Sequence, residues 1–255
     1  MQAALGRDRF GATERPDSDR GPDLNLAILQ ARMSSSRLPG KVMAPVLGEP
    51  MIGRQVERLR RARRIDRLVV ATSTDPSDDP LAAYCSSLAL AVFRGSLDDV
   101  LDRFGRVLAA HPQAKAVVRL TADCPLADPD LIDRVISHHH EAGADYTSNT
   151  LGARSYPHGL DTEVIGPAAL AEAAERATDA YEREHVTPYI YRRPETYRLA
   201  GVARHASLAA LRWTVDYPED LAFVRDVYAR LYPYDPAFGS DAVAALDVNT
   251  ARAQA

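Results

Sequence analysis

LNLAILQARMSSSRLPGK, Leu24 to Lys41, sets an apolar run directly ahead of small residues, a proline, a glycine and three cations. Leu24–Gln30 has the length and composition of a short β-strand. Ala31 to Lys41 reads as the turn behind it, from which Arg32, Arg37 and Lys41 project. Where side chains are small, main-chain N–H groups approach a ligand closely, and guanidinium and ammonium groups neutralise an anion. The segment therefore points to polyphosphate handling. It is not a Walker-type loop: Ser35 stands where that motif needs its first glycine, and Val42 replaces the Ser or Thr after the lysine.

Outward from this segment the pattern alternates. Strand-like runs at Leu68–Thr72, Leu88–Phe93 and Ala116–Leu120 are separated by stretches with helical spacing at Met51–Ala62, Pro80–Ser87 and Leu97–Ala110, the last with Ser96 as its N-cap. Pro129 suits the first position of a helix capped by Asp128 and running to about Glu141. Successive parallel strands need such helical crossovers. The second half is mixed, with short strands expected at Asp145–Ser148, Asp161–Ile165, Arg198–Val202 and Arg212–Val215, and helices at Pro167–Arg176, Ala180–Arg192 and Glu219–Leu231. No linker or repeat divides it, so residues 24–255 are expected to form one α/β unit.

Composition narrows the class. A chain of 255 residues can bury one sizeable core, and a net charge of −4 gives no reason to expect nucleic acid or an anionic membrane as partner. Cys85 and Cys124 lie far apart and form no metal or disulfide pattern, which fits a reducing cytoplasm. Residues 1–23 lack an apolar core and are expected to be a disordered extension, not a secretory signal. No run approaches the roughly 20 apolar residues of a membrane span.

Ligands of open α/β sheets sit beyond the carboxyl ends of the strands. The loop Thr121-Ala122-Asp123-Cys124-Pro125 follows the Ala116–Leu120 strand, so Asp123 stands at such an end, as a ligand for a hard cation or as an Asp satisfying its own turn. Asp216, in WTVDYPEDL, is expected to end a further strand, while Glu219 and Asp220 complement the dipole of the helix behind it. The run RLRRARR, Arg58 to Arg64, reads as a solvated helix face and not a nucleic-acid patch. His138-His139-His140 is not a metal tract, because adjacent helical positions point in different directions.

Taken in order, ARMSSSRLPGKV, VVATSTDPSDDPLA, VFRGSLDDVLDRF, RLTADCPLADPDLID, YPHGLDTEV with EREHVTPYIY, and RWTVDYPEDL resemble the SpsF-like cytidylyltransferases of the spore-coat-polysaccharide type, relatives of the CMP-Kdo and CMP-sialic acid synthetases. The resemblance spans about Leu26 to Leu231. It implies the nucleotide-diphospho-sugar transferase (GT-A-like) fold, a Rossmann-like three-layer α/β/α arrangement with a mixed central sheet. It further implies Mg²⁺-dependent transfer of CMP from CTP to a sugar, sugar phosphate or sugar-like acid, with release of pyrophosphate. Arg37 and Lys41 would hold the triphosphate, and Ala31, Arg32 and Ser34 would line the nucleotide pocket, with Arg37, Lys41 and Asp123 carrying catalysis. Asp123 and Asp216 would coordinate Mg²⁺. Arg94, Ser96 and Asp99 are candidates for base and ribose, and His158, Asp161, Glu163, Glu184 and His185 for the acceptor. The triplet Ser34-Ser35-Ser36 departs from the Gly-Ser-Thr type usual in the family and narrows the loop's backbone freedom. The resemblance is compatible with a homodimer. Two rival readings are a glycosyltransferase of the same fold that takes a finished nucleotide-sugar, and a nucleotide-binding regulator without turnover.

Overall fold

The computed structural model describes residues 24–246. The extension expected at residues 1–23, and the last stretch of the expected 24–255 unit, lie outside them. The central sheet has seven strands: β1 (Leu24–Gln30), β4 (Arg67–Ser73), β5 (Ala91–Gly95), β6 (Ala114–Thr121), β7 (Tyr146–Ser148), β8 (Glu163–Ile165) and β9 (Leu199–Gly201), in spatial order β5-β4-β1-β6-β8-β7-β9. The β5-β4-β1-β6 block is parallel, and β8 runs antiparallel to both its neighbours β6 and β7. This is the mixed α/β sheet expected from the sequence. The chain order reverses on either side of β1, so the crevice between the ends of β1 and β6 is the topological switch point where such sheets bind ligands.

Both faces of the sheet are covered. Along β1, Ala27 and Leu29 join one apolar cluster while Leu26 and Ile28 join the other, so the period-2 alternation places an apolar side chain on either face and the strand reads as a continuous hydrophobic run. The first cluster also takes in α1 (Met51–Leu59), α2 (Asp79–Ser87), α4 (Pro129–Ala142) and α8 (Pro218–Leu231); the second takes in α3 (Val100–Ala109), α5 (Pro167–Arg176) and α7 (Pro188–Tyr191). A small hairpin of β2 (Pro45–Val46) and β3 (Glu49–Pro50) turns through Leu47 and Gly48, both at positive φ. Among the described residues no helix is long and apolar enough to cross a membrane.

Four local expectations are corrected. The strand placed at Leu88–Phe93 is β5, Ala91–Gly95, because the chain at Leu88–Leu90 still bonds back to the last turn of α2. The cap of α3 is Asp99, whose carboxylate accepts the Asp102 N–H at 2.9 Å; Ser96 instead accepts the Asp99 N–H. The helix expected over Ala180–Arg192 is two short ones, α6 (Ala180–His185) and α7. Pro188 has no N–H to continue the first, and Val186 between them sits at φ 71° and ψ −58°. Arg212–Val215 forms no strand and makes only an isolated parallel bridge from Arg212 to His158. Asp128 caps α4 as expected, accepting the Asp130 and Leu131 N–H groups ahead of Pro129 at the first helical position.

The Arg58–Arg64 run is not a simple solvated face. Arg58 is buried, donating to the Ala127 and Phe238 carbonyls, and Arg61 reaches the Pro236 carbonyl. Within the histidine tract, His139 bonds Thr147 and His140 bonds Asn25, which accounts for both without a metal. Cys85 and Cys124 are free and buried.

Candidate active site

The loop after β1 is fixed from below by Asp78. Its buried carboxylate accepts the Met33 N–H at 2.7 Å as well as the hydroxyls of Thr72 and Ser73, so the acidic run TDPSDD after β4 anchors the start of the cationic loop. The Met33 carbonyl then accepts from both Ser35 and Gly40, each at 2.9 Å, and folds the serine triplet into a compact turn. Gly40, at φ 74°, takes the left-handed conformation that lets the chain enter a short 3₁₀ turn at Lys41–Met43.

Lys41 is thereby aimed inward. Its Nζ donates to the Val215 carbonyl at 2.6 Å and to Asp216 Oδ1 at 3.1 Å, and lies 3.8 Å from Asp123 Oδ2. Arg37 reaches Asp216 Oδ1 at 2.9 Å and Arg212 reaches Oδ2 at 2.7 Å. Burial works to raise the Asp216 pKa, but the hydrogen bonds from Arg212, Lys41 and Arg37 outweigh it and bring it down to about 2. The two carboxylates are tied together through the main chain: the Val215 N–H donates to the Asp123 carbonyl at 2.8 Å. Asp220 accepts the N–H groups of Asp216 and Tyr217, at 2.8 and 2.9 Å, and locks the turn into α8.

A cavity of ≈ 320 Å³ opens over these groups, walled by the Ala31–Val42 loop, by Asp123 and Asp216, and by Arg103 and Glu184 from the far side. Ala31, Arg32, Arg37, Lys41, Asp123, Glu184, His185 and Asp216 all line it. Ser35 and Ser36 line it too, while Ser34 is exposed and does not line it. Arg94, Ser96 and Asp99 do not line it either: Arg94 is engaged with the Ser73 and Asp75 carbonyls and with Asp79, Ser96 with Asp99, and Asp99 with Arg183.

A second cavity of ≈ 680 Å³ adjoins the first and shares Arg119, Thr121 and His185 with it. At its floor lies a buried hub, where Glu163 pairs with Arg119 and accepts from Tyr146 and Thr187 hydroxyls, both at 2.6 Å. Burial alone would raise the Glu163 pKa, but Arg119 and the two hydroxyls hold it below the usual range. Asp161 is gripped by both Arg154 nitrogens at 2.6 and 3.0 Å. Tyr146, Tyr181 and Tyr191 add aromatic faces. His158 lines neither cavity; its main chain clamps the segment leading to Asp216, donating to Leu211 and accepting from Trp213.

His185 stands where the cavities meet, its ring 4.2 Å from that of Tyr181. The Thr187 N–H donates to the His185 carbonyl at 2.9 Å, closing a γ-turn with Val186 at its centre. A β-branched residue at positive φ is a strained choice, held here by full burial of Val186 and by the Thr187 hydroxyl on Glu163.

Sequence reasoning missed Arg103, Arg119 and Arg212. Arg103 and Arg119 enter the site from within α3 and β6, and Arg212 from an irregular segment. The signal available was their place in the quoted segments: Arg103 lies in VFRGSLDDVLDRF, Arg119 heads RLTADCPLADPDLID and Arg212 heads RWTVDYPEDL.

The residues from 26 to 230 match the family model described as Cytidylyltransferase. The chain belongs to the cytidylyltransferase family. It is 36% identical over 231 residues to the spore coat polysaccharide biosynthesis protein SpsF of Bacillus subtilis, covering 88% of this chain and 94% of that one. It is 41% identical over 113 residues to the 3-deoxy-manno-octulosonate cytidylyltransferase of Anaeromyxobacter sp. strain K, covering 43% of this chain and 44% of that one. Among solved structures, a cytidylyltransferase of Leptospira borgpetersenii superposes with a TM-score of 0.83 at 26% identity, over 91% of this chain and 97% of that one. A CMP:2-keto-3-deoxy-manno-octonic acid synthetase complexed with CTP shares the fold, with a TM-score of 0.61 at 18% identity, over 82% of this chain and 99% of that one. The cytidylyltransferase assignment makes the chain a nucleotidyltransferase enzyme, which sets aside both the glycosyltransferase and the regulator.

Proposed function

We propose that this cytidylyltransferase transfers CMP from CTP to a hydroxyl of a sugar or sugar-like acid, with Mg²⁺ as cofactor and pyrophosphate as the second product. The observation that carries the reading is the convergence of Lys41, Asp123 and Asp216 beside one cavity that opens into a second. The relatives named for 3-deoxy-manno-octulosonate and for spore coat polysaccharide support a sugar-like acceptor.

In the transfer, the acceptor hydroxyl oxygen bonds to the α-phosphorus and gives up its proton to water, while the bond from that phosphorus to the β-phosphate bridging oxygen breaks and the pyrophosphate leaves with that oxygen. The work left to the protein is positioning and charge stabilisation. Arg37, half exposed and tethered among the described residues by Asp216 and the face of Tyr217, can turn toward a triphosphate. Lys41 is nearly buried and stays in place to offset negative charge on the phosphate oxygens. Asp123 and Asp216 offer the hard oxygen donors that Mg²⁺ prefers, and the low pKa of Asp216 keeps its carboxylate ionised. When bound there, Mg²⁺ would neutralise charge on the triphosphate. The second cavity balances Arg119 with Glu163 and Arg154 with Asp161, and its tyrosines suit the faces and hydroxyls of a polyhydroxylated acceptor.

The test is pyrophosphate release from CTP and Mg²⁺ with a panel of sugar acids and sugars. Lys41→Ala should lower the rate by about 10²-fold or more. Turnover of a finished nucleotide-sugar in place of CTP, or unchanged release in the Lys41 variant, would overturn the reading.

A further inference from the structure

Asp216 offers oxygen donors to a metal, yet both of its oxygens are already taken. Oδ1 meets Arg37 Nη2 at 2.9 Å and Lys41 Nζ at 3.1 Å, and Oδ2 meets Arg212 Nη2 at 2.7 Å. The side chain is 14% exposed, against 32% for Asp123. Among the described residues no group of three or more His, Cys, Asp or Glu side chains is placed to hold a metal ion. Two carboxylates, one of them covered by three cations, make a poor site for a divalent ion until phosphate oxygens join them.

The three cations are not held alike. Lys41 is nearly buried and also donates to the Val215 carbonyl at 2.6 Å. Arg212 lines neither cavity, and its guanidinium lies between Asp216 Oδ2 and Asp220 Oδ2, the second at 3.4 Å. Asp220 is itself buried and fixes the turn into α8, so Arg212 is anchored at the base of the site. Arg37 is different. It comes from the loop after β1, lines the first cavity, is half exposed, and rests on the face of Tyr217 at 5.1 Å. A triphosphate carries more negative charge than one carboxylate already shared with two other cations, so it competes well for this guanidinium.

We propose that Arg37 and Arg212 close the Asp216 carboxylate to divalent cations in the free enzyme, and that the triphosphate opens it by drawing Arg37 away while Arg212 stays; this rests on the CTP reading above. Arg37 then has two successive partners, Asp216 before the nucleotide arrives and phosphate afterwards. Arg212 is a positioning residue: it keeps Oδ2 and leaves Oδ1 as the oxygen that is freed. A unit positive charge about 4 Å from the ion weakens divalent binding by about tenfold or more even at the dielectric of water.

The probe is Mn²⁺, titrated with and without CTP and followed by water proton relaxation, which separates ion on the protein from ion on free nucleotide by their tumbling rates. The proteins are wild type, Arg37→Met, Arg212→Met, Arg212→Lys and the double variant Arg37→Met with Asp216→Asn, with thermal unfolding to check that each folds. Without CTP, Arg37→Met and Arg212→Met should each bind Mn²⁺ about tenfold or more tighter than wild type, and Arg212→Lys, which keeps the charge, should stay close to wild type. With CTP the gain of Arg37→Met should vanish, because the nucleotide has already moved that side chain. Adding Asp216→Asn should abolish the gain. Equal Mn²⁺ affinity in wild type, Arg37→Met and Arg212→Met overturns the proposal, since the carboxylate would then be open from the start. Weaker binding by a folded Arg212→Met protein, a gain that persists with CTP in Arg37→Met, or one that survives Asp216→Asn overturns it as well. If wild-type protein binds no CTP, the CTP reading falls, and the titrations without nucleotide still decide whether the two arginines close Asp216.

Discussion

Asp216 is the residue on which the charge balance of the site turns, since it meets Lys41, Arg37 and Arg212 at once. Its pKa in the fold, about 2, lies below the roughly 3.9 of an unfolded Asp. The stabilisation it gives is therefore present above about pH 4 and is lost as pH falls toward 2. Asp216→Asn should flatten the acid limb of the stability curve over that window, as measured by urea unfolding at a series of pH values. Glu163 behaves differently because it is buried with Arg119. Glu163→Ala strands that guanidinium and should cost about 3–5 kcal/mol in urea unfolding, whereas a loss near zero would mean that Arg119 finds another partner. At this scale the sequence was readable for charged candidates in the loops that follow apolar runs: Arg37, Lys41, Asp123 and Asp216 are brought to one cavity. It was not readable for Arg103, whose position depends on Gly95 leaving space and on the turn carbonyls to which it donates.

Among the elements, the segment 211–216 shows how an irregular stretch can be held as firmly as a strand. Periodicity makes it look like a β-strand, yet its hydrogen bonds go to His158, Asp123 and the Lys41 ammonium in place of a ladder. Gly159 is what allows the close approach. It has φ 99°, and a Cβ there would lie 2.5 Å from the Thr214 nitrogen. Gly159→Ala should displace Asp216, cost about 1–3 kcal/mol in stability and lower turnover at least tenfold; a variant with normal turnover would show that this clamp does not set the position of the carboxylate. The same scale explains why the candidates His158 and Ser96 differ from expectation. The first serves through its main chain, and the second supports a turn whose cap is the aspartate three residues on.

Across the whole molecule, ligand binding and stability are linked through the cleft between β1 and β6, whose walls come from segments distant in the chain. CTP with Mg²⁺ at 100 times its Kd should add about 2.7 kcal/mol to unfolding, read as a rise in Tm. Asp123→Asn should abolish most of that rise while leaving the Tm of the free protein nearly unchanged, because the Asp123 side chain is partly exposed and bridges no buried cation fully. A full ligand-induced rise in that variant would remove Asp123 from the metal and triphosphate site.

By itself the sequence determined the order of strands and helices from Leu24 to Leu231, apart from the adjustments above, and the cationic loop behind β1. Those features follow from local rules of hydrophobic period, capping and turn chemistry, which act over a few residues. Tertiary structure alone decided that Asp123 and Asp216 share one ammonium, that a second cavity opens beside the first, and that an arginine from α3 lines the first. These depend on the return of the chain to the sheet, where the Val215 N–H finds the Asp123 carbonyl, and no local periodicity encodes which distant segments will meet.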